Sequence, residues 1–91
     1  MGVDPGLINT GWGLIESLPN KEIYLSHGVI KTTSKDNLGS RLNFIYNELT
    51  KLSQIYNPQF MAVEKIFSNM NPESTLKLGK ARAIAFLVAA Q

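Results

Sequence analysis

The sequence predicts an α/β domain built on a mixed sheet, with elements in the order β-β-β-α-β-α. Three observations predict it. Thr10 to Ser17 and Glu22 to Thr33 are rich in β-branched and aromatic residues and flank the turn Leu18-Pro19-Asn20-Lys21, so they form an antiparallel hairpin. Leu38, Leu42, Ile45, Leu49 and Leu52 recur at intervals of four, three, four and three, which is one stripe of an amphipathic helix. The apolar run Phe60-Met61-Ala62-Val63 follows that helix, and a continuous apolar strand after a helix belongs in a buried, parallel position. The hairpin therefore lies at one side of the sheet and a parallel crossover at the other.

Each element has its own local cause. Met1-Gly2-Val3 before Asp4 makes a short first strand, and Pro5-Gly6 turns the chain, because proline fixes φ and glycine accepts positive φ. In the second strand Trp12, Leu14 and Glu16 share one face while Gly11 and Gly13 occupy the other. Glycines inside a strand mark close approach of a backbone or a ligand. Asp36 or Asn37 caps the first helix, and Asn57-Pro58 stops it. Asn71-Pro72-Glu73 supplies an N-cap, a proline at the first helical position and an acid in the first turn, so a second helix runs from Pro72 to the end. Gly79 and Ala83, four apart, let another backbone approach it closely. Ile84, Phe86, Leu87 and Val88 make its end apolar all round, the pattern of a helix buried on every side. Its far side meets either the rest of a core or a second copy of the chain.

Composition removes several classes of function. Ninety-one residues fit one small domain or part of a larger one, and 1–91 reads as a single unit. The short first strand and a last helix with no glycine cap or proline stop give it the look of the front portion of a longer domain. The chain has no cysteine, which excludes a disulfide scaffold, a thiolate zinc site and cysteine catalysis, and which fits a reducing cytoplasm. No apolar run approaches the ~18 residues of a membrane span, and no charged-then-apolar leader is visible. A lone His27 cannot build a histidine-rich metal site, so metal chemistry would be carboxylate and hard-cation chemistry. Charge is uneven. Residues 1–64 carry five basic and six acidic side chains, whereas 65–91 carry Lys65, Lys77, Lys80 and Arg82 against Glu73 alone. A basic tail suits a polyanion.

Asp4 ends the first strand and Glu64 ends the fourth. As parallel neighbours, these strands would bring both carboxylates to one sheet edge, where open α/β sheets bind ligands. Adjacent carboxylates repel unless a proton or cation lies between them. Mg²⁺ held by carboxylates, water and phosphate oxygens fits such a place, and two ions can clamp both oxygens of a phosphodiester displacement. The plainer reading is that Asp4 closes the Pro5-Gly6 turn and Glu64 is a surface acid. Phe67, on the loop after Glu64, either stacks on an unpaired base or anchors the loop. Asn71 reads as a helix cap, while Asn69 is open to either a structural or a DNA role. Lys77 and Lys80 share a helix face and Arg82 lies about 200° from Lys80, so the three serve phosphate binding or a solvated face.

Read together, Gly2-Val3-Asp4-Pro5-Gly6, Thr10-Gly11-Trp12-Gly13, Ala62-Val63-Glu64-Lys65-Ile66-Phe67 and Ser74-Thr75-Leu76-Lys77-Leu78-Gly79-Lys80-Ala81-Arg82 closely resemble the RuvC family of Holliday-junction resolvases. Leu38 to Tyr46 fits as well, and the resemblance covers essentially the whole chain in order. It implies an RNase H-like fold and a homodimer that nicks two strands of a four-way DNA junction symmetrically, in recombination and repair. It implies Mg²⁺ as cofactor, two ions per complete site with Mn²⁺ as a substitute, and the RuvA–RuvB branch-migration complex as a partner. Asp4 matches the family's first catalytic, metal-binding acid, Glu64 the second, and Phe67 an aromatic used against junction bases. The family's further acids lie on a C-terminal helix, and this sequence stops before the C-terminal strand and helices. The expectation is therefore little cleavage by the 91 residues alone. Two other classes compete. An actin-like or sugar-kinase ATPase lobe shares the element order and an Asp-x-Gly opening, but Leu7-Ile8-Asn9 lacks the usual Thr, Ser and Gly of its phosphate loop. A non-catalytic junction-binding or dimerisation module would tolerate neutralisation of Asp4 and Glu64.

Overall fold

The computed structural model describes residues 1–65 and 71–91. The elements follow the expected order: β1 (Gly2–Asp4), β2 (Asn9–Leu18), β3 (Lys21–Lys31), α1 (Leu38–Tyr56), β4 (Ala62–Val63) and α2 (Pro72–Ala90). The strands lie in the order β3-β2-β1-β4. β2 runs antiparallel to both β3 and β1, and β4 runs parallel to β1. A register shift at Leu14/Ile15 leaves Leu25 unpaired as a bulge in β3.

Strand alternation sorts the residues. Val3 and Ile30 face the helices and pack against Ile45 and Leu49 of α1 and Ala85 and Val88 of α2, with Trp12 and Val63 packed around them. The middle of the α1 stripe, Ile45 and Leu49, is fully enclosed. The buried seam of α2 is Ala81, Ala85 and Val88, spaced four and three apart. Ala83, of the Gly79–Ala83 pair, is exposed and lies off that seam. Phe86 and Leu87 are half exposed, so the end of α2 is not enclosed on every side among the described residues.

β4 also differs from expectation. Only Ala62 and Val63 are paired, Phe60 is 82% exposed, and among the described residues β4 is an edge. The reason is the shortness of β1, which pairs only Gly2 and Val3 with β4; at the two ends of this ladder Ala62 N–H donates to the Met1 carbonyl at 2.8 Å, and Glu64 N–H to the Val3 carbonyl at 2.9 Å.

The turn after Asp4 needs its glycine for space. No described glycine has positive φ, but a Cβ at Gly6 would collide with the Asn9 carbonyl oxygen. The buried Thr10 hydroxyl donates to the Gly6 carbonyl at 2.7 Å and accepts from the Gly6 N–H at 3.2 Å, locking the turn. Asn37, not Asp36, caps α1 by accepting from Ser40 N–H at 2.8 Å, and Asn71 caps α2 through Ser74 N–H in the same way. Asn57 ends α1 in the left-handed conformation, φ 45°. Among the described residues no helix is long and apolar enough to cross a membrane.

Candidate active site

The β1–β4 ladder pairs Gly2 with Ala62 and Val3 with Val63, so the next residues, Asp4 and Glu64, emerge side by side at the ends of two parallel strands. Alternation puts both on the sheet face turned away from the helices, and both are exposed. Their carboxyl groups interact directly. A hydrogen bond with Asp4, the negative charge of Asp4, and lastly slight desolvation hold the Glu64 carboxyl above the usual carboxylate range. A proton on Glu64 relieves the repulsion between the pair, and a divalent cation would relieve it too. Among the described residues no third His, Cys, Asp or Glu joins them in a metal-binding cluster.

An open cleft of about 490 Å³ surrounds the pair, and its floor is Gly2, Gly11, Gly13 and Ala62. Gly11 lies across the ladder from Asp4, where a Cβ would sit 3.8 Å from the Asp4 Cβ. A Cβ at Gly2 or Gly13 would meet nothing within 4 Å. Protein packing therefore does not require these glycines. What they provide is unobstructed backbone beside two carboxylates, as expected of a surface that a ligand approaches closely.

The other sequence-predicted residues divide. Arg82 reaches the site in an unexpected role: its Nε donates to the Glu64 carbonyl at 3.0 Å, and its guanidinium lies 4.6 Å above the Phe86 ring. It ties α2 to the end of β4 through Nε, a bond that neither the phosphate nor the solvated-face reading of the sequence included. Lys77 pairs with Glu73 at 3.4 Å on the exposed helix surface, and Lys80 is exposed on the same helix. Phe67 and Asn69 lie outside the described residues. Tyr24 is 63% exposed and shares a 2.7 Å hydrogen bond with His27 Nδ1. Sequence reasoning missed Thr10 as the lock of the Asp4 turn and Arg82 as the brace of Glu64. Each acts through main-chain atoms, which leave no residue-type pattern.

The sequence profile of the family described as "Crossover junction endodeoxyribonuclease RuvC" matches residues 1–91. A Cupriavidus taiwanensis protein of that name is 46% identical over 85 residues, covering 93% of this chain and 47% of its own. A Wolbachia protein from Culex pipiens, also so named, is 46% identical over 89 residues, covering 97% and 54%. The chain thus spans about half the length of the curated relatives it matches. Among solved structures, "T. thermophilus RuvC in complex with Holliday junction substrate" superposes with a TM-score of 0.84 at 27% identity, over 98% of this chain and 55% of that one. "Thermus thermophilus RuvC structure" gives 0.83 at 26% identity. The fold is accordingly RNase H-like, and the ATPase-lobe reading is not favoured. The chain belongs to the RuvC family of crossover junction endodeoxyribonucleases.

Proposed function

We propose that residues 1–91, as one RNase H-like nuclease unit, carry part of the active site of a metal-dependent endonuclease. It resolves four-way DNA junctions by paired symmetric nicks in recombination and repair. The observation that carries this reading is the adjacency of Asp4 and Glu64, a like-charged pair at the carboxyl ends of parallel strands beside a glycine floor. The name of the Thermus structure, a RuvC bound to a Holliday junction substrate, supports the choice of DNA.

Two carboxylates, open to water and able to share hard oxygen ligands with a phosphate, fit Mg²⁺ or Mn²⁺, at two ions per complete site. When bound, such ions activate a water and neutralise charge at the scissile phosphate. Asp4 and Glu64 supply carboxylate oxygens from two strands. Thr10 fixes the turn that follows Asp4, and Arg82 fixes the backbone of Glu64. Gly11 and Gly13 leave room for the DNA backbone to come close. The protein works as a cytoplasmic homodimer, with α2 as the proposed contact, and receives its junction from the RuvA–RuvB complex. Phe67 and Asn69, in the sequence before α2, contact DNA, with Lys77 and Lys80 on phosphates. By themselves the two carboxylates give little cleavage.

The test uses a chimera in which this chain replaces the matching part of the Cupriavidus taiwanensis relative. With a labelled four-way junction and Mg²⁺, the chimera makes paired symmetric nicks, and Asp4→Asn or Glu64→Gln abolishes them. The 91 residues alone nick weakly. A chimera that binds the junction and retains its cleavage with Asp4→Asn refutes the reading, and one that binds but never cuts returns the chain to a junction-binding module.

A further inference from the structure

A further cavity, of about 450 Å³, opens where β3 ends and α1 begins, lined by Lys31, Thr32, Thr33, Asp36, Ser40 and Arg41, with Phe44 as its apolar side. It carries two cations without a salt bridge among the described residues, and one of them, Arg41, is held in place. The half-buried Arg41 spends its Nε–H on the Thr32 hydroxyl at 3.1 Å. Thr32 is itself anchored, its hydroxyl to the Leu7 carbonyl and its N–H to the Ile8 carbonyl at 2.8 Å. Among the described residues neither Lys31 nor Arg41 forms a salt bridge, although Asp36 is in the same wall. The first turn of α1 carries no acid. A pre-oriented guanidinium, an ammonium and several hydroxyls around one concavity suit a tetrahedral oxyanion.

Position says which oxyanion. β3 runs parallel to β1, so Lys31 lies at the same end of the sheet as Asp4. Asp4 is registered with Gly11, and Gly11 with Val29, so by alternation Lys31 shares their face. Two strand spacings across and two residues along put the Lys31 backbone roughly 12 Å from Asp4. That is three to four nucleotides at ~3.4 Å of rise each. Leu7 and Ile8, which hold Thr32, belong to the very turn that follows Asp4.

We propose that the Lys31–Arg41 cavity binds a backbone phosphate of the DNA strand three to four nucleotides along from the phosphate that lies at Asp4 and Glu64. This rests on the nucleic-acid reading above. It adds a second anchor that fixes where along the strand the carboxylates act.

The test is fluorescence anisotropy of a labelled four-way junction with this chain, in EDTA, across a series of NaCl concentrations. Lys31→Ala and Arg41→Gln each lower the slope of log K against log salt by about 0.9, which at 0.1 M salt is about eightfold weaker binding. Lys51→Ala, whose side chain pairs with Glu48 at 3.2 Å on exposed helix surface, leaves the slope unchanged. Lys31 is exposed and touches no partner, so its variant keeps the fold even where Arg41→Gln loosens the Thr32 anchor. Asp36→Asn tightens binding by relieving repulsion. Unchanged slopes in both cavity variants, or no junction binding by the wild type, overturn the proposal. Inorganic phosphate that shifts the amide signals of Thr33 to Arg41 while the slopes stay unchanged marks a free-anion site and overturns it too. Slope loss alongside a cleavage-dead chimera leaves the cavity standing and removes the nuclease reading. Cleavage with unchanged slopes does the reverse.

Discussion

Replacing Gly13 with alanine should make the protein more stable and, with a larger side chain, less able to act. A glycine within a strand costs about 0.5–1 kcal/mol relative to alanine, through the freedom it loses on folding. A Cβ at Gly13 would meet no atom within 4 Å, so nothing offsets that gain. Gly13→Ala should therefore stabilise by about 0.5–1 kcal/mol, or about 2–8 °C in Tm for a chain of this size. Gly28 is the control of opposite sign. Its Cβ would lie 2.9 Å from Nε1 and 3.0 Å from Cε2 of Trp12, whose ring also packs at 6.0 Å from Tyr56. Overpacking costs about 1–3 kcal/mol, which after the same glycine gain leaves a net loss of about 0–2.5 kcal/mol. Urea unfolding followed by circular dichroism measures both. In the chimera, Gly13→Val should cut junction cleavage by about 10–100-fold, the effect of displacing a substrate by ~1 Å. A destabilised Gly13→Ala, or a Gly13→Val chimera of full activity, would refute the argument that the floor is kept bare for a ligand.

Two other perturbations probe the carboxylates. Glu64 titrates above the ordinary glutamate range because of Asp4, so Asp4→Asn should bring its carboxyl ¹³C titration back down. Its folded pKa is raised, so the stability it contributes is present below the ordinary glutamate range and lost as pH rises through the folded value. Mn²⁺ competes with that proton and should bind more tightly over the same rise. A Glu64 that titrates normally in the wild type would show that the two groups do not interact. Arg82→Ala, tested in the chimera, should lower kcat by about 10–100-fold with little change in junction affinity, as befits loss of a brace behind a metal ligand. Weakened affinity at constant kcat would instead restore Arg82 to a phosphate contact.

Elements with a strong period were legible in the sequence. The α1 stripe, the β2–β3 hairpin and both asparagine caps stand where their residue types put them, because each depends on neighbours within a turn or two. The pairing of Asp4 with Glu64 was legible only as a conditional, since it needs β1 and β4 to be parallel neighbours, a fact of topology. What stayed hidden were choices made by tertiary contact. Which residues of α2 form its buried seam, Ala81, Ala85 and Val88, depends on the direction from which the sheet and α1 pack against it. Gly6 looked like a φ requirement and proved to be a spacing requirement, set by the Asn9 carbonyl. Arg82 looked like a surface cation and bends back to a carbonyl eighteen residues away.

The two-residue ladder of β4 has a consequence for how the site comes to exist. Moving β4 by one residue would exchange its faces. Lys65 would then stand beside Asp4 on the open side, an attractive pair in place of a repulsive one. The same move would turn Glu64 towards the core and Val63 out of it. Local electrostatics and core burial thus favour different alignments of the same short segment, and burial of Val63 prevails. The active pair is a point of frustration that the hydrophobic core maintains from behind. Folding has already imposed the repulsion that an arriving cation relieves.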